Sequence, residues 1–108
     1  MSAPARDPLA RLWDEHVRTP FPPHLRGRVV EGEDMVLLDA YLAGGVSSSL
    51  SGSLDEKRHQ VLVTCLADVG RVLPSIGDED GVRYFERLRD MAVLAIGLGP
   101  STMGRDPR

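Results

Sequence analysis

The sequence predicts an all-α fold: a compact up-and-down helical bundle of one short and three long helices. Three observations carry that expectation. Between Met35 and Leu54 the only charged residue is Asp39, in a chain that is 27% charged, so this segment must be covered by the rest of the chain or by a partner. Met35, Leu38, Leu42, Val46 and Ser49 recur there at helical spacing, and the opposite face, Ala40, Ala43, Gly44, Ser47, Ser48 and Ser51, is small throughout. The stretches after Ser53 and after Asp78 repeat the three- and four-residue spacing, each opened by capping and acidic residues.

At 108 residues the chain makes one domain that buries about two thirds of its unfolded surface. Residues 7–98 are expected to form it, with flexible tails at 1–6 and at 99–108, the latter rich in Gly, Pro and Arg. The aromatic residues are Trp13, Phe21, Tyr41, Tyr84 and Phe85 alone, so the core must be mainly Leu, Val, Ala and Met.

The first helix is expected to open at Asp7-Pro8, where Asp7 can cap and Pro8 suits the first helical position. Leu9, Leu12, Trp13, His16 and Val17 form its apolar stripe, and Thr19-Pro20 ends it. Residues 20–27 then read as an extended connection in which Phe21 packs on the core. Pro20 and Pro23 also match PxxP, a pattern common by chance.

The second helix is expected to begin near Gly32, with Glu33 and Asp34 complementing the positive end of its dipole. It either stops at Gly44-Gly45, which costs about 2 kcal/mol relative to two alanines, or runs on through residues 46–52. Val46, Ser49 and Leu50 stay in phase with Leu38 and Leu42, which favours continuation, and the glycines would then mark close helix packing.

For the third helix the expected cap is a box formed by Ser53 and Glu56. Arg58, Val61, Leu62, Cys65, Leu66, Val69, Val72 and Leu73 follow in phase, with Leu66 expected at the centre of the core and Pro74 as terminator. The fourth helix is capped by Asp78, carries Glu79 and Asp80 in its first turn, and turns Phe85, Leu88, Ala92 and Ala95 inward, flanked by Tyr84, Met91 and Ile96.

Composition narrows the function classes. The net charge of -3 provides no global basic field for nucleic acid or anionic lipid. Cys65, the single cysteine, leaves no internal disulfide or cysteine-based zinc site, falls on an inward helical face and fits a reducing compartment. The N-terminal stretch lacks an apolar core of signal-peptide length, and Met91–Leu98, the longest apolar run, is far short of the ~20 residues that span a bilayer. These features give a cytoplasmic expectation, with no membrane partner.

Candidate chemistry is sparse. The run Asp78-Glu79-Asp80-Gly81 fails as a calcium loop, because Ile76 and Arg87 would occupy the first and last ligand positions. His16, His24 and His59 show no spacing of a helical metal site; His16 is expected to border the core and His59 to lie on a solvated face. Residues 43–53 have the glycines and hydroxyls of a phosphate loop but no lysine and no preceding strand. Asp39 reads as an edge carboxylate in a salt bridge. No catalytic residue, metal ligand or cofactor site is expected.

The sharpest functional feature is on the fourth helix. Arg83, Arg87, Asp90 and Leu94 share one stripe opposite the core residues, with Val93 beside them. Arginine beside exposed aliphatic side chains is the composition of protein–protein hot spots. The ordering GEDMVLLDAYLAGGV, LDEKRHQVL and YFERLRDMAVL (residues 32–94) is similar to small uncharacterised helical proteins of actinobacterial type. That resemblance implies a continuous second helix and brings no catalytic residues with it. The expected function is a non-enzymatic protein-binding module, an adaptor, regulator or inhibitor of immunity type, that engages another protein or a second copy through Arg83, Arg87, Asp90, Val93 and Leu94. The alternative is a nucleic-acid-associated regulator, with the fourth helix or Arg26-Gly27-Arg28 meeting phosphate.

Overall fold

Helix α1 covers Arg6–Val17, so Asp7 lies inside its first turn and not ahead of it. The computed structural model describes residues 6–101; of the expected tails, residues 1–5 and 102–108 lie outside the described residues. Leu9 and His16 of α1 are buried and Leu12 and Trp13 partly so. Val17, expected on the same stripe, is exposed, because the helix ends there and the chain turns away.

The connection to the second helix holds more structure than its prolines announce. Phe21 packs edge-on against Tyr84 and Phe85, and a 3₁₀ turn at Pro23–Leu25 buries Leu25. A two-stranded antiparallel hairpin follows, β1 (Val29–Val30) with β2 (Glu33–Asp34), in the register Val29↔Asp34 and Val30↔Glu33. Its two-residue turn, Glu31-Gly32, has positive φ at both positions (50° and 81°), the signature of a type I′ turn. Glycine adopts this conformation freely, whereas Glu31 is held in it: its carbonyl accepts from Arg71 (2.6 Å) and its carboxylate from the Ser75 hydroxyl (2.8 Å).

The hairpin displaces the start of helix α2, which covers Met35–Ser51 and not the stretch from Gly32. Asp34 is its N-cap, accepting from the Val36 and Leu37 amides. The helix continues through both glycines, as the phase of Val46 and Ser49 requires. Only Gly45 marks a close approach. A Cβ there would lie 2.8 Å from Leu62 Cδ1, whereas a Cβ on Gly44 meets nothing within 4 Å.

Helix α3 covers Glu56–Val72. Its cap is Asp55, whose carboxylate accepts from the Arg58 amide at 2.8 Å, so the expected Ser53–Glu56 box does not form. Ser53 sits two residues too early, in the loop, with its hydroxyl 2.9 Å from that of Ser51. The buried face is also rotated from the expected one. Leu62 is fully buried where α2 closes in at Gly45, and Leu66, expected at the centre, is half-buried at the edge. Val72 leads into a 3₁₀ turn at Leu73–Ser75 containing Pro74.

Helix α4 covers Glu79–Leu98 and is capped by Asp78, which accepts from the Gly81 amide. Tyr84, Phe85, Leu88, Met91, Ala92 and Ala95 are buried. Long-range contacts fix the directions: Arg6 reaches the Leu50 carbonyl, Tyr84 reaches Asp39, and His59 reaches the Ile96 carbonyl. Hence α2 and α4 run one way and α1 and α3 the other, the up-and-down bundle that short loops require. His59 is thereby half-buried and not on a solvated face. Beyond α4 the chain lies against the α2–α3 loop, where Ser101 and Leu54 exchange two hydrogen bonds. No described helix is long and apolar enough to cross a membrane.

Candidate functional site

The five residues expected on the α4 outer face are placed unequally. Arg83, Asp90 and Val93 are exposed, Val93 at 51%. Leu94 is half-buried against the core cluster, so the apolar part of the outward face is Val93 alone. Arg87 is 12% exposed: it lies over the Tyr84 ring (5.9 Å) and pairs with Glu15 of α1 (3.4 Å), while its Nε is buried without a partner among the described residues. Arg83 reaches Glu79 one turn back at 3.6 Å, a loose surface pair.

Arg83 and Arg87 are brought together with residues from far earlier in the chain. Pro20, Pro22, Pro23 and His24 pass alongside α4, and the gap between forms a cleft of about 360 Å³. Its walls are these prolines, Thr19 and Tyr84, with His24 at its edge, and its charged groups are Arg83, Arg87 and Asp80. His24 Nε2 is 2.8 Å from Asp78 Oδ1, which pins the connection to the α4 cap. The Gly81 amide, and then His24, hold the Asp78 carboxyl below the ordinary carboxylate range.

Behind the cleft lies a buried polar cluster that joins three helices. The Tyr84 hydroxyl donates to Asp39 Oδ1 at 2.9 Å, and His16 Nε2 is 3.4 Å from that hydroxyl and 3.6 Å from the carboxylate. Asp39, expected as an edge carboxylate in a salt bridge, has His16 at salt-bridge distance and accepts from Tyr84 as well. Burial first, then the charge of Asp39, push the Tyr84 phenol far above its ordinary value, so it stays protonated as the donor to Asp39. His16 borders the core as expected, and its Nδ1 has no partner among the described residues. Cys65 is buried, and burial with the nearby Asp68 and Glu33 charges raises its thiol above the usual value, which opposes thiolate chemistry. Among the described residues no group of three His, Cys, Asp or Glu side chains is placed to hold a metal.

A second surface was only half legible. The small face of α2 is left open, and Leu37 (53%), Tyr41 (56%) and Val61 of α3 (46%) stand exposed along it. Between the helices runs a groove of about 330 Å³ walled by Ala40, Tyr41, Gly44, Gly45, Ser48, Arg58, Val61 and Leu62. Val61 had been expected to face inward. The rotation of α3 about Leu62 turns it out, and spacing alone does not resolve a rotation of one residue.

No protein-family model matches the chain, and the comparisons with curated proteins and with solved structures return no match.

Proposed function

We propose that the protein is a non-enzymatic helical binding module, an adaptor, regulator or inhibitor of immunity type, that takes a different protein at the cleft beside α4. The observation that carries this reading is the joining of Arg83 and Arg87 with Tyr84 and the prolines in one cleft. Proline walls are rigid and apolar, and Arg83 is an exposed guanidinium that prefers carboxylate, so the partner chemistry is an acidic side chain next to an apolar one. Val93 is exposed further along α4, outside the cleft. The buried Tyr84–Asp39–His16 cluster serves as the rigid floor, since it ties α4 to α1 and α2 at the level of the arginines.

The nucleic-acid reading is less well supported. Arg26 stacks on the Phe21 ring at 5.4 Å, and the hairpin next to Arg28 carries Glu31, Glu33 and Asp34, which repel phosphate. The test is capture of partners from native cells by the wild type and by Arg83→Glu and Val93→Arg variants. Loss of the same captured protein in both variants, with melting unchanged, supports the cleft. Retention in both removes it.

A further inference from the structure

Of the side chains that line the cleft beside α4, His24 belongs to the one type that changes charge between about pH 5 and 8. We infer that His24 is a charge switch for the cleft, strengthening its hold on an acidic partner when protonated and weakening it when neutral, a regulation that rests on the acidic-partner reading of this cleft.

His24 is exposed at the cleft edge, yet its position is fixed. Leu25, the next residue, is fully buried. A Cβ on Gly81 would lie 2.9 Å from Asp78 Oδ1 and 3.0 Å from Leu25 Cδ1, so the proline segment and the α4 cap close together on that glycine. His24 Nε2 is 2.8 Å from Asp78 Oδ1, a buried oxygen with no hydrogen bond among the described residues, while Oδ2 accepts from the Gly81 amide. A bare ring nitrogen at that distance would repel the carboxylate. Nε2 therefore carries a proton in both charge states, and Nδ1 is the nitrogen that titrates. The wall stays seated while its charge changes.

The groups around His24 set the sign. Asp78 and Asp80 stand at the start of α4, and Arg83 and Arg87 follow along the cleft. Glu15 of α1 engages Arg87, and Arg26, in the same segment as His24, is turned onto the Phe21 ring. Tyr84 stays protonated, and the Asp78 carboxyl, held below the ordinary range by the Gly81 amide and then by His24, stays ionised. With His24 neutral, the charges of Asp78 and Asp80 both oppose a carboxylate that approaches Arg83. Protonation of His24 offsets the charge of Asp78 at 2.8 Å. One unit charge some ~7 Å from the incoming group in a watery cleft changes affinity by roughly 3-fold, and by more where the walls exclude water.

The test is a titration of the full chain with acetyl-Glu-Leu-amide, a carboxylate beside an apolar side chain, followed by the NMR signal of the Arg83 Nε–H at pH ~5.5 and ~8. The probe is ionised at both values, so only the protein changes charge. His24→Gln is the control, because glutamine offers Asp78 an N–H without titrating. The wild type should bind the probe at least ~3-fold more tightly at the lower pH, and His24→Gln should bind it equally at both. Equal binding by the wild type at the two pH values overturns the switch and leaves the acidic-partner reading standing. A pH ratio that His24→Gln retains also overturns it, since another group would then carry the effect. Binding at neither pH removes the acidic-partner reading and the switch with it.

Discussion

The Tyr84 hydroxyl donates a 2.9 Å hydrogen bond to Oδ1 of Asp39, tying α4 to α2 through the one charge between Met35 and Leu54. This pair explains how a charge is accommodated beside the apolar face of α2. It is partly buried, so Asp39 must have a partner, and the partner is a neutral donor from another helix.

Tyr84→Phe should therefore cost about 1–3 kcal/mol, the penalty for stranding a buried acceptor. Urea denaturation measures it, and a loss below about 0.5 kcal/mol would mean that water replaces the hydroxyl at no expense.

Alkaline pH gives an independent reading of the same pair. In the unfolded chain a tyrosine ionises near pH ~10, whereas native Tyr84 is held protonated well above that value. Because the native pKa is the raised one, the contribution to stability is complete below pH ~10 and is lost as pH rises beyond it. In a Tyr41→Phe background Tyr84 is the only tyrosine, so phenolate absorbance should appear together with loss of helical circular dichroism. Phenolate forming in the folded protein near pH ~10 would contradict the cluster.

Gly44 and Gly45 are neighbours in sequence with opposite requirements. Gly44→Ala should stabilise the monomer by up to about 1 kcal/mol through helix propensity. Gly45→Ala must displace buried Leu62 from 2.8 Å and should be less stable than Gly44→Ala by at least ~1 kcal/mol. Thermal melts of the two variants under conditions that keep both monomeric make the comparison; equal melting would contradict the close α2–α3 approach.

Asp55→Ala should cost about 0.5–2 kcal/mol by removing the α3 cap, while Ser53→Ala should cost less. Likewise Leu62→Ala should cost about 2–5 kcal/mol and Leu66→Ala distinctly less, because only Leu62 is fully enclosed. Chemical denaturation of the four variants checks both orders, and a reversal in either pair would show that the register of α3 is misassigned.

These two reversals mark the limit of what the sequence discloses. Helix existence was legible, because periodicity, Pro74 and the acidic caps agree, and α2 could be followed through two glycines by phase alone. The cap of α3 was not, since Ser53 and Asp55 are both capping residues and the path of the loop, tied by Ser101 to Leu54, decides between them. The hairpin escaped notice because its strands are two residues each and its turn is Glu-Gly, with Glu31 held at positive φ by Arg71 and Ser75 from a later helix and turn. The α4 stripe was legible as spacing. Its cleft was not, because the prolines that wall it come from residues 20–23 and reach Arg83 only through the tertiary path.

Leu94→Arg, which sequence spacing alone marks as an interface change, should instead lower thermal stability, because Leu94 packs on the core. Val93→Arg should leave melting within about 0.5 kcal/mol of the wild type, as surface substitutions do. Identical melting of both variants would place Leu94 outside the core.

The binding account is tested most directly by a photo-crosslinking amino acid placed at position 93 in native cells, with position 60, exposed on α3, as control. The account predicts a discrete adduct to a different protein from position 93, none from position 60, and loss of the adduct when Arg83 is changed to glutamate. An empty lane at position 93, or an adduct that survives Arg83→Glu undiminished, would contradict it.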